Sequence, residues 1–390
     1  MFGQDEMILE MGPQHPSTHG VLRLTLRIRG ENIVEVVPII GYLHRGIEKI
    51  AENLMYTQFQ PYTDRLDYIA APGNNIAYVQ TIEKLLDVDV TPRAKYIRVI
   101  IAELSRISSH LLWLAAHGLD LGAMSVFLYC FRERELALDL LEIYCGARLT
   151  TNCMEIGGVR GDLNQEFIDK LNDFIKMFPD KIQDYENILT KNRIWLKRTK
   201  GVGIITAEEA VNYGLTGPSL RGSGVKYDVR KAQPYAAYDQ FDFEIPIGVV
   251  GDVYDRYLVR VEEMRQSNKI IRQALEKLPK GSIKVQDSRI TRPDKAQLDT
   301  NMEALIQYCY LIMEGVIPPK GEVYSSVEAP KGELGFYIYS DGTSKPYRMK
   351  IRAPSFFHTA VLPFLSKGAM IADVVANIAS LDIVLGEVDR

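Results

Sequence analysis

Cysteine is scarce in this chain of 390 residues: the four present, Cys130, Cys145, Cys153 and Cys309, include no Cys-x-x-Cys pair. That argues against a disulfide framework or a thiolate-ligated metal site, and it suits a reducing compartment. No Gly-x-Gly-x-x-Gly follows a strand pattern and no Gly-Lys-Ser/Thr phosphate loop occurs, so no nucleotide site is expected on this chain. His-Glu-x-x-His is missing too, and the interval between His15 and His19 lacks the cysteines that would support zinc. Neither sign of charge dominates. A net charge of −4 gives no reason to expect nucleic acid or an anionic membrane surface as a partner. Repeats, low-complexity tracts and flexible linkers are absent. The opening Met-Phe-Gly-Gln-Asp-Glu-Met has neither a secretory apolar core nor an Arg-rich transit segment, so a chain made and kept in a cytoplasm, or encoded inside an organelle, is expected.

What is present describes a globular protein, with 46% apolar and 25% charged residues. The length exceeds the usual single-core size, so two cores or one large interlocked one are expected. Between Arg106 and Arg132 the only formal charge is Asp120. Gly118, Asp120 and Gly122 interrupt that run, which reads as two buried helices joined by a turn rather than a membrane span.

The segment that organises the rest is Met11-Gly-Pro-Gln-His-Pro-Ser-Thr-His-Gly20. Its prolines keep it out of helix and its glycines open dihedrals closed to other residues. A stiff polar loop with His15 and His19 at its tip, tied at both ends to a sheet, is the kind that carries function. Imidazoles that merely bond to nearby backbone are the plain alternative.

Val21 to Arg29 alternates, with Leu22, Leu24, Leu26 and Ile28 on one face, and Ile33 to Val37 returns as a second strand ending at Pro38. His44 and Arg45 head a helix expected to run through Met55. Tyr68 falls near the start of the next, where a tyrosine is usually half buried with its hydroxyl bonded. Thr91-Pro92 starts a long core helix that runs out at His117-Gly118. A second follows Met124 and closes at Gly146, with Asp120 in the turn between them. A third, Phe167 to Trp195, should bend or break at Pro179. A fourth spans Tyr254 to Leu278, and Asn301 to Met313 is a shorter one. Gly201 to Gly251 reads as irregular connection, including the permissive Arg221-Gly-Ser-Gly224. Lys191 to Lys200 is a basic solvated surface. Val323 to Glu328, Gly335 to Ser340 and Tyr347 to Ile351 read as strands, Pro354 to His358 as loop, and a last helix passes through Ile371 to Asn377. Strands at both ends with helices between give an α+β class, the two termini pairing around a helical bundle. The parts are an N-terminal β element with the His loop (1–45), a helical core (46–320) and a C-terminal β meander with a closing helix (321–390), in one interlocked unit.

Six stretches carry a resemblance. Gly12-Pro-Gln-His-Pro-Ser-Thr-His-Gly-Val-Leu22, His44-Arg-Gly-Ile-Glu-Lys49, Asp64-Arg-Leu-Asp-Tyr68, Arg230-Lys-Ala-Gln-Pro-Tyr235, Glu328-Ala-Pro-Lys-Gly-Glu333 and Gly386-Glu-Val-Asp-Arg390 resemble the quinone-pocket D subunits of respiratory complex I. That family is related to the large subunit of nickel–iron hydrogenases. The resemblance implies a hydrogenase-large-subunit-like fold, a central helical bundle with small antiparallel β elements near both termini. Hydrogenases hold nickel with cysteine pairs near both chain ends, whereas here His44-Arg-Gly46 has no thiol and no cysteine follows Cys309. The implied site is therefore an organic pocket without metal.

By the same resemblance His19, Tyr68 and Asp120 are the catalytic residues. His19 and Tyr68 bind the quinone headgroup carbonyls, an imidazole and a phenol suited to donate protons from two sides of the ring, and Asp120 pairs with His19. Such a carboxylate would favour the charged imidazole. A static structural His19–Asp120 pair is the alternative. Arg45, Arg65 and Arg160 match positions near the terminal iron–sulfur cluster of a neighbouring small subunit. Arg160 stands where some members carry a histidine and cannot titrate usefully, which puts proton coupling at that cluster in doubt. The resemblance implies a core peripheral-arm subunit of a proton-pumping NADH:quinone oxidoreductase, inactive alone. No cofactor is expected on the chain itself. FMN and iron–sulfur clusters would sit in partner subunits of the peripheral arm, with quinone as substrate and membrane-arm subunits below. The expected location is the cytoplasmic side of a bacterial inner membrane, or the matrix side of an organelle's. An equivalent subunit of a ferredoxin-, deazaflavin- or hydrogen-linked complex, and an assembly subunit with a vestigial pocket, are the alternatives.

Overall fold

The alternation after the His loop builds the first sheet. The structure is a computed structural model describing residues 6–390. Strand β2 (Arg23–Arg29) buries Leu24, Leu26 and Ile28 and turns Arg23, Thr25 and Arg27 outward. It pairs antiparallel with β1 (Glu6–Met11) on one side and β3 (Asn32–Ile39) on the other. Strand β3 continues past Pro38, where the sequence suggests a stop. It is an edge strand, which tolerates a residue without an N–H.

The helix headed by His44 and Arg45 ends early. Helix α1 covers Ile47–Ala51, and Met55 is extended, its N–H bonded to the Gln58 side chain at 3.2 Å, so that α2 (Tyr56–Thr63) starts afresh. Helix α3 (Ala71–Leu86) follows, and Tyr68 lies in the connection just before it. Helix α4 (Pro92–Asp120) buries a stripe from Ile97 through Ile100, Leu104, Ile107, Leu111 and Leu114. Asp120 is its last residue rather than a turn residue. Helix α5 (Met124–Cys145) returns along α4 and is closed by left-handed Gly146. Helix α4 is long and apolar enough to cross a membrane, but 83% of its most apolar window is buried within this chain.

Beyond a small ribbon of β4 (Met154–Glu155) and β5 (Gly158–Val159), α6 (Gln165–Leu189) runs through Pro179 unbroken. The break falls instead at residues 190–192, where Asn192 caps α7 (Arg193–Thr199) through Ile194 N–H at 2.9 Å. The Gly- and Pro-rich stretch after it is more ordered than its composition suggests. It forms α8 (Ala207–Asn212), α9 (Gly217–Arg221) and α10 (Val229–Ala232). Helix α11 (Val253–Glu276) then packs along α4, and α12 (Lys295–Leu298) and α13 (Met302–Met313) lead to the second sheet.

Strands β6 (Gly321–Ala329), β7 (Gly332–Ser340) and β8 (Arg348–Arg352) form an antiparallel meander. Ala329 pairs with Gly332, so Pro330 and Lys331 make a two-residue turn. That turn packs against Gly217, where any Cβ would meet the Gly332 Cα at 2.4 Å. Pro354 begins a helix, α14 (Pro354–Ser366), and is not loop: proline at a first helical position loses no hydrogen bond. Helices α15 (Ile371–Leu381) and α16 (Leu385–Asp389) close the chain.

The two sheets do not pair with each other. The C-terminal tail, not its strands, meets the N-terminal sheet. Ile33 N–H donates to the Ala369 carbonyl at 2.8 Å, and the Asp389 carboxylate accepts from Gly41 and Leu43 N–H at 2.9 and 2.7 Å. One apolar core joins α3–α6, α11 and the C-terminal meander. A second joins β2 and β3 to α14–α16. This is an α+β chain whose ends share a core.

Candidate functional site

A cavity of about 180 Å³ lies where five parts of the chain meet. Helix α4 contributes one face, Ser109, Leu112, Trp113, Ala116, His117 and Asp120, at the three- and four-residue spacing of a single stripe. His19 comes from the His loop, Tyr68 and Ile69 from the connection before α3, Lys331 from the β6–β7 turn, and Ala379, Asp382, Ile383 and Val384 from the C-terminal tail. Larger clefts of about 420 and 470 Å³ lie elsewhere, one among mixed charges and the other along α13. The His19 cavity alone among the three combines apolar walls with convergent titratable groups, the usual marks of a small-molecule site.

The His loop sorts its two histidines. Pro16–Thr18 forms a 3₁₀ turn, and exposed His15 caps it, Nδ1 accepting from Ser17 N–H at 3.2 Å. His19 then takes a left-handed φ of 54°, costly for a residue with a Cβ, and its ring enters the cavity wall. Its Nδ1 lies 2.9 Å from the Ile383 carbonyl, which can only accept, so Nδ1 carries the proton and neutral His19 presents the Nε2 lone pair. Burial holds His19 below the ordinary imidazole value, although the Ile383 carbonyl and Asp120 act against it. Lys331 adds to the fall. The direct His19–Asp120 bond expected from the sequence is not formed. Asp120 accepts instead from Ser17 Oγ at 3.3 Å, and burial raises its carboxyl pKa. Desolvation therefore outweighs the carboxylate's pull on the imidazole.

Tyr68 makes no hydrogen bond through its hydroxyl among the described residues. Burial, then the Asp67 charge, pushes its phenol up, with Lys331 and Arg45 opposing. A phenol that stays protonated beside an imidazole that stays neutral gives the cavity one free donor and one free acceptor.

Three wall residues were not singled out from sequence. His117 sits between Trp113 and Trp195, ring centroids 5.4 and 4.9 Å away, and neither of its nitrogens has a hydrogen-bond partner among the described residues. Burial, reinforced by Arg260 and Arg256, pushes it down to about 3. Lys331 is fully buried, bonded to Ser109 Oγ and 3.4 and 3.8 Å from Asp67 and Asp382. Asp382 is raised to about 6, chiefly by burial. For His117 a signal existed, its helical phase with Trp113 and Asp120. For Lys331 nothing in the sequence shows that a tight turn points inward.

The arginines divide. Arg45 donates to the carbonyls of Arg65 (2.9 Å) and Gly386 (2.6 Å), and Arg65 donates to Pro61 O at 2.6 Å beside Asp64. Arg160 is exposed in a different cleft, with Gln60, Asn152 and Lys284. Among the described residues no group of three or more His, Cys, Asp or Glu is placed to hold a metal ion.

Residues 120–390 match the family model described as respiratory-chain NADH dehydrogenase, 49 Kd subunit. The chain belongs to that family. Among curated relatives, the D subunit of the NADH-quinone oxidoreductase of Geotalea uraniireducens (strain Rf4) is 53% identical over 390 residues, all of both chains. The D subunit from Methylacidiphilum infernorum (isolate V4) is 53% identical over 386 residues, 99% of this chain and 92% of that one. A third, from Wolinella succinogenes, is 52% identical over 389 residues, covering 99% and 95%. Within a 49 kDa-subunit chain the His loop, the connection before α3, the β6–β7 turn and the C-terminal tail are thus the four segments that meet α4 around one cavity.

Proposed function

We propose that this chain forms the quinone headgroup site of a proton-pumping NADH:quinone oxidoreductase. In this reading the ring lies between Tyr68 and His19 and receives electrons from an iron–sulfur cluster on a small partner subunit. The observation that carries the reading is the convergence of an unbonded phenol and a free imidazole lone pair on one apolar-walled cavity. Two-electron reduction makes a base that a dry pocket will not hold unprotonated, so protons must be supplied on the spot. Tyr68 donates to one ring oxygen, and the His19 imidazole, held in place by the Ile383 carbonyl, positions the far edge of the ring. Asp120, through Ser17, braces the turn that aims His19. Arg45 and Arg65, with Arg160 further off, present cations to the partner cluster, which raises its potential. The complex sits on the cytoplasmic side of a bacterial inner membrane, with FMN and the clusters on other peripheral-arm subunits.

In the purified complex, Tyr68→Phe or His19→Ala is expected to depress NADH:quinone turnover strongly while sparing electron delivery from NADH to an artificial acceptor. Full quinone turnover in both variants would overturn the reading in favour of an assembly subunit with a vestigial pocket. Substituting ferredoxin, reduced deazaflavin or hydrogen as donor separates NADH-linked from otherwise-fed complexes.

A further inference from the structure

The first sheet has two edges, and only one is guarded. The β3 edge carries Pro38 and is met by the C-terminal tail, Ile33 N–H donating to the Ala369 carbonyl at 2.8 Å and Gly368 N–H to the Ile33 carbonyl at 2.9 Å. The β1 edge has neither device. Glu6–Met11 contains no proline, lysine or bulge, and among the described residues it pairs with β2 alone. Its side chains are open as well, on the face that ought to be covered. Residues 7, 9 and 11 share the core face with Ile28, Leu26 and Leu24, their partners across the ladder. Leu26 and Ile28 are 0% and 2% exposed, whereas Leu9 and Met7 opposite them are 37% and 57% exposed. The cover that α14–α16 supply therefore stops at β2, and on β1 it reaches only Met11. On the other face exposed Ile8 lies between the carboxylates of Glu6 and Glu10.

Hydrogen bonding decides what fits such an edge. It offers a row of N–H and C=O groups, which another strand satisfies and which lipid leaves unmet. A second copy of this chain fits poorly. The longest antiparallel pairing of β1 with itself, centred on Ile8, sets Glu6 against Glu10, and like charges directly opposite are destabilising. Charge complementarity supplies the rest. Strand β2 already answers the solvent face of β1 with Arg29 opposite Glu6 and Thr25 opposite Glu10. A strand on the open side meets the same two carboxylates, and between them it meets the apolar Met7 and Leu9 on the core face.

We propose that β1 is a docking edge, to which an extended segment of another subunit of the same complex adds as a fourth strand of the sheet. The segment carries apolar side chains at alternate positions, beside Met7 and Leu9, and Lys, Arg, Ser or Thr at the positions facing Glu6 and Glu10. A family of respiratory-complex subunits supplies such a partner. The added strand satisfies the open backbone groups and extends the apolar face that α14–α16 leave bare. It does not rest on the quinone reading.

The test uses the intact complex, with a photo-reactive phenylalanine analogue in place of Met7, and amide hydrogen exchange on the β1 peptide of the parent. Slow exchange is expected for both the amides that face β2 and those on the outer edge, since each set is bonded. The crosslink should enter one segment of another subunit, with the alternation given above. Met7→Lys combined with Leu9→Lys changes only exposed side chains, and it should speed exchange of the outer set while β2 stays protected. If that variant does not assemble, the exchange and crosslink of the parent sequence decide alone. Fast exchange of the outer amides in the parent, or unchanged exchange in an assembled double variant, would overturn the proposal. So would a crosslink into a helix, lipid or a second copy of this chain, or no crosslink at all.

Discussion

Helix α4 passes through two buried polar regions, and they are built on opposite plans. Towards its middle, Glu103, Arg106 and His110 enter a lattice with α11 and the segment around α9 and α10. Arg230 lies 3.1 Å from Glu103 and 2.6 Å from Asp228, and Arg221 lies 2.8 Å from Glu328 and also pairs with Glu263. His110 bonds Glu263 at 2.8 Å, and Tyr238 and Ser267 both donate to Glu103 at 2.6 Å. In that lattice every carboxylate touches a cation. About two turns beyond His110 on the same helix, His117 has no hydrogen-bond partner among the described residues, and the Tyr68 hydroxyl on the same cavity has none among them either. A matched lattice fixes the relative placement of elements. Unmatched groups around a cavity are stabilised by something that enters it. Burial of charge is therefore a poor guide to function here. A whole side chain without any hydrogen-bond partner, as at His117, is a better one than single unpaired atoms such as Arg221 Nε in the lattice.

The largest effect should come from breaking the lattice. Glu263→Ala strips His110 of its carboxylate and leaves Arg221 with only the carboxylates of Glu328 and Asp228, all in a dry place, at a cost of about 3–5 kcal/mol, a large part of ordinary domain stability. Limited proteolysis of membranes carrying the variant should show the chain degraded and the complex depleted. On the cavity side the pattern should invert. Tyr68→Phe should lower quinone turnover by about 10²-fold while leaving protease resistance unchanged, because the lost hydroxyl bonds nothing in the fold.

Acid should sharpen the contrast next. His117, His110 and His358 are all buried with depressed pKa values, about 3, 4 and 3. Each binds a proton more readily unfolded than folded, so stability rises with pH between those values and the ordinary 6.5, and is lost as pH falls below 6.5. Thermal unfolding of the complex should show this chain's transition moving down between about pH 7 and about pH 5. His117→Phe should shrink that movement, since the ring then has no proton to take. The smallest effect is expected at Arg160. It is exposed and outside both regions, so Arg160→Ala should change stability by less than about 0.5 kcal/mol in the same experiment.

Much of the scaffold was legible because its punctuation is local. Thr91-Pro92 and Gly146 mark the ends of the α4–α5 pair, and strict alternation gives the buried face of β2. Proline misled wherever context overrode it. Pro179 sits inside α6, Pro38 inside an edge strand, and Pro354 opens a helix. Of the matched lattice, the part between Gly201 and Gly251 was read as irregular connection, since Arg221-Gly-Ser-Gly224 and its surroundings look permissive and only tertiary packing buries Arg221 and Arg230. At the cavity, the motifs that carry the family resemblance also carry His19 and Tyr68. Lys331 lies in one of those motifs yet stood out for nothing, because the inward turn of a hairpin tip is decided by what Gly217 allows to pack against it.

The central claim is that a quinone ring occupies the space between Tyr68 and His19. A structure of the intact complex with a short-chain quinone bound tests it most directly. The account predicts one ring oxygen within hydrogen-bonding distance of the Tyr68 hydroxyl and the ring edge against His19 Nε2. A ring seated in another cleft, or a metal ion where the ring should lie, would contradict it.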